Sequence, residues 1–428
     1  MKPASQAWAR RHELWAGFVN RPASFLVLAL ARQLGAVAWL PGIGRVVNDA
    51  DVARAILMDP GCFNSHDRGS FGFMITRLLG PRALINMDGP EHQGFKRSLL
   101  DIFSPRYVSA VIDQATAGLV LELKASLRAG QTVDFARFMQ HYGGAVACAL
   151  IGVCPPEAKE KAAYEEIFSL ATEIMALAGL QRQVLSPTAK ARGDILCDQL
   201  ATHIRASYED GTAADLSVTQ RLRAQGYAFE DVRGLVSVVL VGATELIIYG
   251  LPRMVSVMID CGALPRLAAE PEAIDRAVYE AFRVVTPSNA ILRAVAADCE
   301  VAGHRFRKGD RAIIAFCNIM RQPRYFAAPD VFDIDRVIPA TLRRLPFGAG
   351  GHACLGAGLA LTQTRHVFSV LMELGGKFDI VQRNTTVAKS TQAIRDCSSV
   401  WLEKDCRDRK STRLNSSHLR LSRMPSSA

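Results

Sequence analysis

Residues 347–356 read Phe347-Gly348-Ala349-Gly350-Gly351-His352-Ala353-Cys354-Leu355-Gly356, a glycine-rich turn with one cysteine. Beyond it, Leu355, Gly358, Leu359, Ala360, Leu361, Val367 and Leu371 follow a helical pattern, which predicts Cys354 at a helix N-terminus. Free N–H groups there favour an anionic sulfur. Glycines at 348, 350 and 351 let the backbone approach a ligand where side chains would collide. This is the chemistry needed to hold a thiolate against a flat metal cofactor. The same letters also fit a GxGxxA dinucleotide loop, but that fingerprint needs a preceding strand and a following βαβ unit. Arg343-Arg344-Leu345-Pro346 is a poor central strand, because proline cannot donate to a ladder.

The chain has 428 residues, 49% of them hydrophobic and 21% charged, an ordinary globular composition able to bury a large core. Of its net charge of +10, the stretch Arg407–Ala428 supplies +5, from six basic residues and one acid, which leaves +5 on residues 1–406. That mild excess suits an acidic protein partner, and it excludes the concentrated basic stripe of a nucleic-acid binder. Residues 407–428 have no apolar period and read as a disordered tail, resembling translated sequencing-adapter read-through. Ten scattered cysteines lack zinc-type spacing, and Met1–Trp15 carries charges where a secretory core would be apolar. A reducing cytoplasm with free thiols is the expected setting.

Along the chain, a helical run at 25–34 and short strands at 37–40 and 45–47 precede a helix capped by Asp49 and ending at Met58. Residues 104–260 are mostly helical, as are 271–284. Strands are expected at 299–306 and 311–315, followed by a proline-punctuated passage from 323 to 339. Leu235–Leu251 is almost wholly apolar, but a membrane span would put Glu245 in hydrocarbon at a cost of about 2.5–3.5 kcal/mol. A central helix of a water-exposed domain explains it without that cost, so no membrane anchor is expected. Gly250 and Pro252 predict a kink. Residues 1–406 therefore read as one mostly α domain with a minor β region.

Phe347, Gly348, Gly350, His352, Cys354 and Gly356 together resemble the haem-ligand loop of the cytochromes P450, in which one cysteine thiolate is the axial iron ligand. Other segments resemble that family in the order it uses them. Asp88-Gly89-Pro90-Glu91-His92 followed by Lys96-Arg97 is similar to its C-helix, where His92 and Lys96, at i and i+4, would meet a haem propionate. Lys96 replaces the usual arginine and loses the bidentate fork. Glu280-Ala281-Phe282-Arg283 resembles the ExxR pair, with Arg336 in Phe332-Asp333-Ile334-Asp335-Arg336 as its third member. Arg293 and His352 match further propionate positions. Gly242-Ala243-Thr244-Glu245-Leu246 resembles the central-helix pattern of a small pair, any residue, an acid and a threonine. The acid is Glu245, but leucine stands where the family's hydroxyl relays protons during oxygen activation. Thr244 is a weak substitute, about 200° away around the helix.

The resemblance covers roughly residues 20–405 and implies the cytochrome P450 fold with haem b as cofactor. It implies a haem-thiolate monooxygenase that activates dioxygen to oxidise a small or medium apolar molecule, with Glu245 and Thr244 as catalytic candidates. Electrons would come from a ferredoxin and its reductase, docked by Lys96, Arg97, Arg343 and Arg344. Phe71, Phe73, Met74, Val241, Leu246, Ile291 and Ile394 would line the substrate pocket. Two other readings stay open: a peroxide-dependent, coupling or rearrangement haem-thiolate enzyme, which Leu246 makes credible, and a non-catalytic haem protein.

Overall fold

The computed structural model describes residues 5–20, 22–80, 83–177, 185–210, 217–383 and 400–404. The tail at 407–428 and Ile394 lie outside the described residues, as do the side chains of Met74, Thr244 and Glu245.

In chain order, helices α1 (Gln6–Asn20) and α2 (Pro22–Gln33) lead into strands β1 (Val37–Leu40) and β2 (Gly44–Val47), then α3 (Ala50–Met58), β3 (Phe63–Asn64), α4 (Phe71–Leu79) and α5 (Gly89–Ser98). A helical stretch follows: α6 (Pro105–Arg128), the short strand β4 (Val133–Asp134), α7 (Phe135–Ile151), α8 (Glu160–Leu177), α9 (Pro187–Asp210), α10 (Val218–Ala224) and α11 (Phe229–Thr244). After a π-helical turn come α12 (Leu251–Asp260), α13 (Ala263–Ala269) and α14 (Ile274–Val284). Strands β5 (Ile291–Val295), β6 (Cys299–Val301), β7 (His304–Phe306) and β8 (Arg311–Ile314) precede α15 (Phe316–Ile319) and α16 (Ala340–Arg343). Helix α17 (Ala357–Glu373), β9 (Phe378–Arg383) and β10 (Val400–Lys404) complete the order.

Local sequence accounts for these boundaries. The Asp49 carboxylate accepts from the N–H groups of Asp51 and Val52, both at 2.9 Å, and starts α3. Ser104 caps α6, Pro105 occupies its first turn, and Val108, Ile112, Thr116, Val120, Leu123 and Leu127 form its buried stripe. The main core joins α6, α7, α8, α11, α12, α14 and α17. A second cluster lies where α3 meets β2, β5 and β8. The five-stranded sheet has the order β1-β2-β8-β5-β3, with β2 and β8 parallel and the other pairs antiparallel.

Three expectations change. Residues 299–306 form a hairpin, not one strand, because the chain reverses at Ala302-Gly303, both at positive φ. Residues Ile291–Val295, from which Ile291 was read as pocket wall and Arg293 as a propionate position, form a sheet strand as well. The kink comes earlier than Pro252: residues Glu245–Gly250 wind as a π-helix between α11 and α12. A proline in the first turn of α12 cannot donate backward, so the preceding turn takes up the mismatch. Gly143 of α7 makes room for that turn, since a Cβ there would lie 2.5 Å from Ile247 Cγ2. Among the described residues no single helix is long and apolar enough to cross a membrane. At the margin of the helical core, the buried Tyr142 Oη pairs with Nδ1 of the partly exposed His366 at 2.9 Å, the rings stacked, with the exposed Asp113 3.9 Å from the other ring nitrogen.

Candidate functional site

The cysteine turn is fastened on three sides. Cys354 N–H donates to the Phe347 carbonyl at 2.7 Å, closing the loop. The Phe347 ring packs on Phe282 of α14, centroids 5.0 Å apart. Gly350 takes φ +67°, and a Cβ there would sit 2.5 Å from the Leu57 carbonyl, so only glycine lets the loop seat on the end of α3. The helix after the loop starts at Ala357 with Gly356 as its cap, so Cys354 lies just ahead of the helix rather than in its first turn.

Cys354 opens into a cavity of about 420 Å³ bounded by α4, α5, α7, α11, β5 and the cysteine loop. Burial among protein atoms pushes its thiol up, and the Gly356 N–H and the Lys96 ammonium pull it part of the way back. A thiolate bound to a metal is deprotonated by the ion's own charge. Phe347, Gly348, His352 and Gly356 line the same cavity. So do His92, Lys96 and Arg293 from outside the loop.

These side chains are set differently from one another. Lys96 Nζ donates to the carbonyls of Gly351 (2.7 Å) and Ala353 (2.5 Å), so its charge ties α5 to the cysteine loop. His92 is buried, its ring stacked on His352 at 4.5 Å, and burial together with the charges of His352 and Lys96 pushes its pKa down to about 4. Arg293 is 7% exposed, and burial lowers even its guanidinium to about 10. Its one hydrogen-bond acceptor among the described residues is the neighbouring Leu292 carbonyl at 3.1 Å. His352 Nε2 faces Asp88 Oδ1 at 2.7 Å and Ser65 Oγ at 3.1 Å. Burial lowers its pKa, and the Asp88 hydrogen bond acts against that.

This set fits haem. Among the described residues, the Arg293 guanidinium has no paired carboxylate and the His92 imidazole no hydrogen-bond partner; both border the cavity, and anionic propionates would satisfy them. The cysteine sulfur and the flat apolar walls suit the iron and the porphyrin.

Farther from the sulfur, Phe71, Leu246 and Ile291 line the cavity, whereas Phe73 and Val241 do not. Successive helical positions turn by about 100°, so Phe73 points away from Phe71. Its ring lies under the Arg77 guanidinium at 4.8 Å. Val238, Val239, Gly242 and Leu246 share one arc of the central helix, and Val241 falls outside it, buried in the core. Leu84, Ile85, Val146, Leu150 and Met175 complete the walls. They come from elements distant in sequence, and no local motif marks them.

Behind the cavity, Glu280, Arg283 and Arg336 form one buried network. The Arg283 guanidinium donates to both Glu280 oxygens (2.6 and 2.7 Å) and to the carbonyls of Met320, Pro329 and Val331. Glu280 Oε1 also accepts from Asp333 N–H (2.9 Å) and Arg336 Nε (3.1 Å). Every charge is met by hydrogen bonds, the condition under which a buried ion group is tolerated.

Known proteins are similar to this chain in sequence and in fold. The cytochrome P450 family model matches residues 272–379. A 20-oxo-5-O-mycaminosyltylactone 23-monooxygenase from Streptomyces fradiae is 25% identical over 351 residues, 79% of this chain and 77% of its own. A pentalenic acid synthase from Streptomyces avermitilis is 27% identical over 369 residues, 82% and 86% of the two chains. Among solved structures, CYP109E1 from Bacillus megaterium in complex with testosterone superimposes with a TM-score of 0.71 at 20% identity, over 91% of this chain and 99% of that one. CYP164A2 from Mycobacterium smegmatis gives 0.71 at 20% identity, over 93% and 99%. The fold, the cysteine loop and these matches agree: the chain belongs to the cytochrome P450 family and is an oxidoreductase with haem as its cofactor.

Proposed function

We propose that the chain is a haem-thiolate monooxygenase that activates dioxygen and inserts one oxygen atom into a small or medium apolar organic molecule. The other oxygen atom leaves as water, with two electrons and two protons supplied from outside. Cys354 would supply the sulfur that binds the iron, and His92, Arg293 and His352 would hold the propionates. Lys96, by contrast, would brace the loop. Haem with a thiolate ligand supplies the chemistry that favours O–O cleavage. The chain's own part is to hold that sulfur, exclude water with aliphatic and aromatic walls, and seat the substrate beside Phe71, Leu246 and Ile291. Ferredoxin and its reductase are the proposed electron source, Arg97, Arg343 and Arg344 the docking charges, and the cytoplasm the setting. The observation that carries the reading is one cavity shared by Cys354 and the buried Arg293, which has no carboxylate partner among the described residues.

Purified protein reduced under carbon monoxide is expected to show the thiolate-type spectral band, and Cys354→Ser is expected to lose it. An unchanged band in the variant would end the reading. Turnover with NAD(P)H and a ferredoxin pair should give a product heavier by one oxygen atom. One observation favours a second reading: Leu246 puts an alkyl group where the family relays protons, which suits a peroxide-driven enzyme. Product formed with peroxide alone, and none with the electron-transfer pair, would select it.

A further inference from the structure

We propose that Asp88 and His66 are a positioning pair for His352, and that they set how firmly the haem is held at its propionate edge. The proposal rests on the haem-binding reading of the cavity.

Asp88 is the N-cap residue of α5, where a short acid normally accepts from the first helical N–H groups, as Asp49 does for α3 and Asp134 for α7. Asp88 makes no such bond. Its two oxygens go to two imidazoles instead, Oδ1 to His352 Nε2 and Oδ2 to His66 Nδ1, each at 2.7 Å. Burial pushes the Asp88 carboxyl up, but the hydrogen bonds of both histidines outweigh it and leave it below the ordinary carboxylate value.

With Nε2 engaged by Asp88 and Ser65, Nδ1 is the nitrogen of His352 left for a ligand. The stacked His92 ring fixes the plane of the imidazole. The outer end is equally fixed. Asn64 Oδ1 accepts from the His66 and Asp67 N–H groups, and Ser70 Oγ donates to the Ser65 carbonyl at 2.7 Å. Among the described residues, Asp88 is the carboxylate bonded to His352, and its charge also acts at His92. Its field is felt at the buried Arg293.

Partners behind a metal-ligating histidine typically change affinity by roughly 10- to 100-fold when lost, and for a histidine that holds a propionate the lower end of that range is expected. In holoenzyme, Asp88→Asn is expected to transfer haem to excess apomyoglobin about tenfold faster than the parent protein, with His66→Gln intermediate. All should keep the reduced carbon monoxide band, whose absence in the parent would instead remove the haem-thiolate reading. Removing a negative charge should also raise the reduction potential in Asp88→Asn. Asp88→Glu, which keeps the charge but moves it, should leave the potential nearly unchanged and still lose haem faster. Haem retention equal to or tighter than the parent in Asp88→Asn would show a carboxylate that merely repels the propionates, and would overturn the proposal. If Asp88→Asn does not fold, unchanged haem loss in both His66→Gln and Asp88→Glu would overturn it equally.

Discussion

Leu246 is the residue with the sharpest chemical consequence, since a branched alkyl group has no proton to pass. Leu246→Thr is expected to raise the fraction of NAD(P)H electrons recovered in product at least about twofold, with a matching fall in released peroxide. Product and peroxide measured per NAD(P)H consumed would check it, and an unchanged ratio would mean that another group relays the protons. Single residues were legible in the sequence where their partners are near in the chain or fixed by a motif. Cys354 stood out because its glycines surround it, and Glu280 with Arg283 because one helical turn joins them. The double duty of Asp88 was hidden. His66 lies 22 residues before it and His352 264 after it, and an acid ahead of a helix reads first as a cap.

The element that shapes the cavity is the central helix with its π-turn at Glu245–Gly250. The apolar run predicted a long central helix there, and most of its described side chains are buried. It could not show the extra residue wound into the turn, because periodicity reports a mean pitch and Pro252 marks only the downstream end. Nor could it separate Val241 from Val238 and Val239, since the arc facing the cavity depends on how neighbouring helices dock. Gly143 is the matching feature on α7. Gly143→Ala brings a methyl group to 2.5 Å from Ile247 Cγ2 and 2.9 Å from Phe168 Cζ. Overpacking of this kind costs about 1–3 kcal/mol. The melting temperature of the holoenzyme is expected to fall by several degrees, and the type of spectral shift on binding apolar ligands should change as Leu246 moves. A variant melting like the parent would show that α7 shifts freely.

At the scale of the whole molecule, the predominance of helix and the small sheet region were readable from periodicity and from the turn residues that interrupt it. The junction of the two cores was not, because it depends on long-range contacts such as Gly350 on Leu57. Stability carries a pH signature from the margin of the helical core. Burial holds His366 below its ordinary value while Asp113 acts against it. The folded chain declines a proton that the unfolded chain accepts below about pH 6.5, so stability falls as the pH drops from there toward the depressed native value. The loss of melting temperature between about pH 7.5 and 5.5 should therefore be smaller in His366→Gln, and an equal loss would assign the acid sensitivity to other groups. The Glu280 network has a consequence of a different kind. Its carboxylate and the Arg283 guanidinium complete their partners only with residues 320–336, so in a nascent chain that ends short of Arg336 the two ions must stay in water and the face of α14 that carries them cannot be buried. Fragments ending in that interval would be clients for chaperones and proteases, and translation must clear it before the sulfur loop has a floor to rest on.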